Sequence, residues 1–153
     1  MEDKSGLFKL LGAIILVNGL GIASGFLGVP GEWYQGLEKS ILTPPSYVFP
    51  IAWTLIYSMI GASGYLAWTR NFGIKAKLLF IGQLALNYLW TPIFFGFQKP
   101  LTGLAIISTL AVLVAALLRL FYDEEKIAAY LLVPYFLWIL FATYLNIVIV
   151  IMN

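Results

Sequence analysis

The residues best equipped for chemistry in this sequence are indoles, phenols and amides set at helical spacing. Trp33 and Tyr34 precede a proline pair, and Phe49, Trp53 and Tyr57 follow it four residues apart, a spacing that lines one face of a helix. Further on, Gln83, Asn87, Thr91 and Phe94 fall nearly on one face, with Trp90 beside them. Tyr135, Trp138, Ala142 and Asn146 make another stripe, whose alanine leaves room between larger neighbours. Rings with polar edges hold a flat, apolar molecule by stacking and orient it with a few hydrogen bonds. They do not hydrolyse it. Histidine and cysteine are absent, which removes imidazole bases, thiolate nucleophiles, disulfides and the nitrogen and sulfur ligands of zinc or haem iron. No metal or other cofactor is expected. The carboxylates Glu2, Asp3, Glu32, Glu38, Asp123, Glu124 and Glu125 all fall in expected termini or loops. Tyrosine is then the only acid or base a site among the apolar stretches can contain.

The elements that position these groups follow from the solvent. Of 153 residues, 61% are hydrophobic and 10% charged, too little charge to cover a water-soluble domain of this size. Residues 10–31, 42–69, 78–98 and 127–153 contain no charge, and neither does the shorter stretch 100–118; a crossing takes roughly 20 apolar residues, with ~17 at the low end. The expected fold is an all-α membrane protein, a bundle of five transmembrane helices at about 7–27, 46–68, 76–97, 101–122 and 124–151. Residues 28–45 form a long loop broken by Pro30-Gly31 and Pro44-Pro45, and residues 1–153 form one transmembrane domain without internal repeats. Ser5 and Asp123 are candidate caps for the first and last helices, and Pro134 is expected to kink the last. A secretory signal is the alternative for the first stretch, with Lys4 and Lys9 before it and Ala23-Ser24-Gly25 near its end. The apolar run exceeds the roughly 7–15 residues of a signal core, and Gly12, Gly19, Gly21 and Gly25 suit close helix packing. A net charge of +2 with no basic cluster gives no reason to expect a nucleic-acid partner.

Basic residues orient the bundle. Alternation places Lys4, Lys9, Arg70, Lys75, Lys77, Arg119 and Lys126 on one face and Lys39 and Lys99 on the other. The first face is therefore expected to be cytoplasmic with the N-terminus, and the long loop and the C-terminus to lie outside. Trp53 then lies about 10 Å below the outer end of its helix, and Trp90 comes to a similar depth. Trp138 sits near mid-membrane with Ala142 and Asn146 above it, and Trp33 and Tyr34 lie overhead. Separate segments thus deliver aromatics and amides to the outer half of one bundle. Gln83 and Asn87 should face inward, because an amide in hydrocarbon needs a partner. Other polar or aromatic residues read as structural: Trp68 and Tyr122 as interfacial anchors, Asn18 and Gly21-x-x-x-Gly25 as helix contacts within the chain.

At these residues the chain resembles the translocator protein or tryptophan-rich sensory protein family (TspO/MBR). The matching pieces are Trp33-Tyr34 with Leu37 and Lys39, then Thr43-Pro44-Pro45, then Phe49-Pro50-x-x-Trp53-x-x-x-Tyr57. They continue with Asn87-Tyr88-Leu89-Trp90-Thr91-Pro92-x-Phe94-Phe95-Gly96 and Pro134-Tyr135-x-x-Trp138-x-x-x-Ala142-x-Tyr144-Leu145-Asn146. The resemblance implies five helices around a cavity capped by the first loop, usually as a homodimer, in a prokaryotic cell membrane for a chain such as this. It also implies a porphyrin or haem-like tetrapyrrole as ligand, with Trp33, Tyr57, Asn87, Trp90 and Ala142 lining the site. Some bacterial relatives are reported to degrade protoporphyrin in light, and Trp53 and Trp138 are the positions that would carry such catalysis. Two departures stand out. Lys39 is followed by Ser40-Ile41-Leu42 where the family commonly has proline and an aromatic, and no basic residue follows Tyr144. The second makes sterol binding through the motif proposed for the last helix doubtful.

Three function classes follow. A tetrapyrrole-binding protein acting in sensing, scavenging or transport fits best, with stacking on indoles and Lys39 as the cation near ligand carboxylates. A light-dependent porphyrin-degrading enzyme is the alternative, since photo-oxidation through tryptophan needs no acid or base. An ion-coupled transporter fits least, because the expected helix centres carry no ionisable residue and no inverted repeat is visible.

Overall fold

The computed structural model describes residues 3–153; Met1 and Glu2, with the Glu2 carboxylate named above, lie outside them. The elements in chain order are α1 (Asp3–Phe26), α2 (Glu32–Gly36), α3 (Val48–Thr69), α4 (Ile74–Thr91) with a π-helical turn at Pro92–Gly96, α5 (Pro100–Glu124) and α6 (Lys126–Met152). Five helices are long and apolar enough to cross a membrane, and the described residues contain no strand. Their outer faces are studded with large apolar side chains such as Phe8, Ile15, Leu78 and Val112. A water-facing monomer does not carry so much continuous apolar surface. Lipid is the solvent these faces are built for.

Several boundaries differ from the sequence expectation, each for a local reason. α1 starts at Asp3, so Ser5 sits inside the helix and does not cap it. α5 runs on to Glu124 and absorbs Asp123, which pairs with Arg119 one turn back at 3.5 Å. The cap of α6 is Glu125, whose carboxylate accepts from the Ile127 N–H. α6 continues through Pro134. At the end of α4, Pro92 brings no N–H, and the chain widens to π-type bonding in which the Phe97 N–H reaches the Pro92 carbonyl at 2.8 Å.

The spans form a ring in which α1 touches α3 and α4, α3 touches α6, and α6 and α4 both touch α5. Gly61 allows the α1–α3 contact: a Cβ there would stand 2.7 Å from the Cα of Ile14. The two ends of the bundle then differ. Toward Thr69, Ile74, Glu124 and Lys126 the interior is filled, with Phe121 packed edge-on against Phe72 at 5.0 Å and stacked over Phe80 at 6.0 Å. Leu117, Leu132, Ala67 and Ala128 seal the same region, and the Ser63 hydroxyl donates to the Ala128 carbonyl at 2.8 Å. Toward the opposite end, beneath α2 and its loop, the helices enclose space.

Candidate ligand cavity

The loop over that space is folded, not slack. Short α2 lays Trp33 edge-on to Phe94 at 6.0 Å and Tyr34 edge-on to Phe95 at 5.0 Å, so the π turn serves as its platform. Lys39 closes the end of α2: its ammonium donates to the carbonyls of Tyr34, Leu37 and Gln35 at 2.7, 2.7 and 3.2 Å and lies 4.9 Å from the Tyr34 ring centre. Lys39 lines the cavity, and its ammonium hydrogens are taken up by the carbonyls that a short helix leaves bare, with no carboxylate partner among the described residues. Burial pushes the Tyr34 phenol above its ordinary value, so it stays a neutral hydroxyl. Two ties run from the loop to α6. The Asn153 amide pairs reciprocally with the Glu38 backbone at 3.0 and 3.1 Å, and Ser40 meets the Tyr144 hydroxyl at 2.9 Å.

Beneath lies a cavity of about 880 Å³. One wall comes from α3 and α6. Trp53 stacks on Tyr57 at 5.1 Å and stands edge-on to Trp138 at 6.4 Å, and Phe49 meets Trp138 at 6.0 Å. The other wall comes from the end of α4, where Trp90 stacks on Phe94 at 4.8 Å with their planes 18° apart. The Trp90 N–H donates to Asn146 Oδ1 at 3.2 Å, and Asn146 Nδ2 donates to the Pro100 carbonyl at 3.0 Å. That amide thereby fixes the Trp90 ring against α6 and the start of α5. Ala142 adds a small side chain to the α6 wall.

The floor is a polar chain crossing three helices. The Tyr57 hydroxyl donates to Asn87 Oδ1 at 2.7 Å, Asn87 Nδ2 donates to the Tyr135 oxygen at 3.0 Å, and the Tyr135 hydroxyl donates to Gln83 Oε1 at 2.7 Å. Hydrocarbon cannot solvate amides, so these groups satisfy one another. Trp138 Nε1 and Gln83 Nε2 are buried without a partner among the described residues.

Of the residues expected to form the site, Tyr34, Phe49, Trp53, Tyr57, Trp90, Phe94, Trp138, Ala142 and Asn146 line the cavity. Trp33, Asn87 and Tyr135 do not: Trp33 packs on the outside of Phe94, and the other two are buried in the floor. Sequence reasoning missed the contribution of α1, since Asn18, Gly21 and Gly25 line the cavity. Asn18 does bond across to Ser58 at 3.2 Å, as its structural reading implied. It also missed Pro50 and Thr54, which extend the Trp53 face of α3 and were legible from spacing alone. No Asp or Glu lines the cavity, and the described residues hold no cluster able to ligate a metal. The arrangement can stack, orient and exchange an electron with a planar guest. Its titratable lining groups among the described residues are Tyr34, Tyr57 and Lys39.

Comparison with known proteins gives a consistent result. The family model described as TspO/MBR matches residues 13–152. A tryptophan-rich protein TspO of Archaeoglobus fulgidus is 41% identical over 151 residues, covering 96% of this chain and 98% of the relative. A protein of the same name from Chlorobaculum tepidum is 37% identical over 157 aligned positions, covering 95% and 98%. The human translocator protein is 39% identical over 141 residues, covering 86% of this chain and 82% of its own.

Proposed function

Because the chain belongs to the TspO/MBR family, we propose that this integral membrane protein binds a porphyrin or haem-like tetrapyrrole in the cavity beneath α2. The observation that carries the reading is the pair of aromatic walls, Trp53 with Trp138 and Trp90 with Phe94, around about 880 Å³ of space. Pockets for organic ligands commonly occupy about 300–1,000 Å³ and are mostly apolar with few convergent polar groups. A tetrapyrrole ring is flat, large and apolar, and its carboxylates belong beside Lys39, the one cation lining the cavity among the described residues. The protein acts in sensing, scavenging or transport as a homodimer in a prokaryotic cell membrane. Its capped end faces outward and its N-terminus lies in the cytoplasm, by the basic-residue rule.

Titration of the purified protein with protoporphyrin IX in darkness tests this reading. Saturable quenching of tryptophan fluorescence without ligand loss is the expected result, and an unsaturable, linear response sinks it. A second reading, light-dependent porphyrin degradation, is favoured by the edge contact of Trp53 and Trp138 inside the cavity. There the excited ring and an indole exchange an electron, with dissolved dioxygen as oxidant. If Trp53→Phe and Trp138→Phe leave illuminated porphyrin loss unchanged, that reading fails.

A further inference from the structure

We propose that the guest enters sideways from the bilayer, through a slot between α1 and α3 at Gly25; this deepens, and rests on, the reading of the cavity as a ligand site. α1 changes partner along its length. In its middle it is fastened to α3: Gly61 lies on the backbone at Ile14, Asn18 donates to Ser58, and Gly21 leaves its side-chain space to the Tyr57 ring. Beyond Gly21 its ties run to α4, which already holds it at Val17, where the Tyr88 hydroxyl donates to the Val17 carbonyl at 2.8 Å. The Ser24 hydroxyl donates to the Tyr88 carbonyl, and Gly28 lies against the backbone of Thr91 and Pro92.

The upper end of α1 therefore leans away from the start of α3, and a wedge opens between them. Ile22 and Gly25 on one side and Pro50 and Thr54 on the other all line the cavity. Three of the four, Ile22, Pro50 and Thr54, are also exposed. Such exposure along one side of a cavity is what an open rim would leave. No atom lies within 4 Å of the position a Gly25 Cβ would take. The loop above is tied down on α6, through Glu38 with Asn153 and Ser40 with Tyr144. Gly25 is one residue from the end of α1, and Pro50 is in the first turn of α3. The slot thus opens at the membrane–water boundary, where amphipathic ring systems collect with polar groups outward. A flat amphiphile already lying there slides in edge-first, ring leading, with its acidic rim trailing toward the headgroups.

The test uses the full chain in proteoliposomes and the variant Gly25→Trp, whose Cβ position is open and whose indole would occupy the slot. Stopped-flow mixing with protoporphyrin IX vesicles should show association and dissociation slowed together, by roughly tenfold, the mark of a narrowed door and not of a lost contact. A change confined to dissociation, or no change in either rate, overturns the proposal. A second readout needs no tetrapyrrole. The chain has no native cysteine, so Ala142→Cys on the cavity wall can be labelled by a membrane-dissolved maleimide. Labelling should slow by a similar factor when Gly25→Trp is added, and unchanged labelling overturns the slot. If protoporphyrin fails to bind the unmodified protein, the tetrapyrrole reading falls, and the labelling arm still decides the route.

Discussion

The filled and hollow ends of this bundle use the same kinds of side chain to opposite effect. At the filled end Phe72, Phe80 and Phe121 close on one another, with Ala67, Ala128 and Leu117 occupying what they leave. At the hollow end the rings are four, Trp53, Trp90, Phe94 and Trp138, three of them larger indoles, yet they line two walls with a gap between. Aromatic content alone therefore does not separate a core from a receptor. The separating features are an amide that pins one wall and a polar floor that stops the other from sinking. Asn146 holds Trp90 back against Pro100, and the Tyr57–Asn87–Tyr135–Gln83 chain holds three helices at a fixed spacing.

Substitutions can break that contrast, beginning with the largest effect. Phe121→Ala empties a site with no exposure, packed between two aromatic neighbours, Phe72 and Phe80. It should cost about 3–5 kcal/mol of stability, read as a lowered thermal unfolding midpoint in detergent. Tyr135→Phe removes the hydroxyl shared by Asn87 and Gln83. It should cost about 1–3 kcal/mol by leaving buried amides unpaired, and bring no direct loss of ligand contact. Trp53→Phe belongs to the hollow end and should reverse the pattern. Stability should hold, while tetrapyrrole affinity, measured by fluorescence titration, weakens by about 0.5–1.5 kcal/mol, a several-fold rise in Kd. If Trp53→Phe destabilises as strongly as Phe121→Ala, the two ends are not different kinds of interior. Asn153→Ala should have the smallest effect, about 0.5–1.5 kcal/mol at most for the loss of exposed hydrogen bonds to Glu38. Faster proteolytic nicking of residues 37–43 is its readout.

The spans were legible because hydrocarbon leaves a long, uninterrupted trace in the sequence. The wall residues were legible because Phe49, Trp53 and Tyr57 share a helix face and too many polar rings faced the same depth. What escaped was whatever depended on partners far along the chain. Asn87 reads as a ligand group until Tyr57 and Tyr135 are seen to claim both ends of its amide. Nothing in the sequence around Lys39 shows that its ammonium also closes the end of α2, a helix of only five residues. The π turn after Thr91 left only Pro92 as a hint, and the tilt of α1 from α3 to α4 left only a scatter of glycines.

The crossing of amide and phenol groups under the cavity has a consequence for how such a protein can change. It works as a tie-beam: load is carried below, so the rooms above can be refurnished. Exchanges at Phe49, Trp53 or Ala142 alter what the chamber accepts while the frame stands, whereas an exchange at Asn87 or Tyr135 slackens the frame itself.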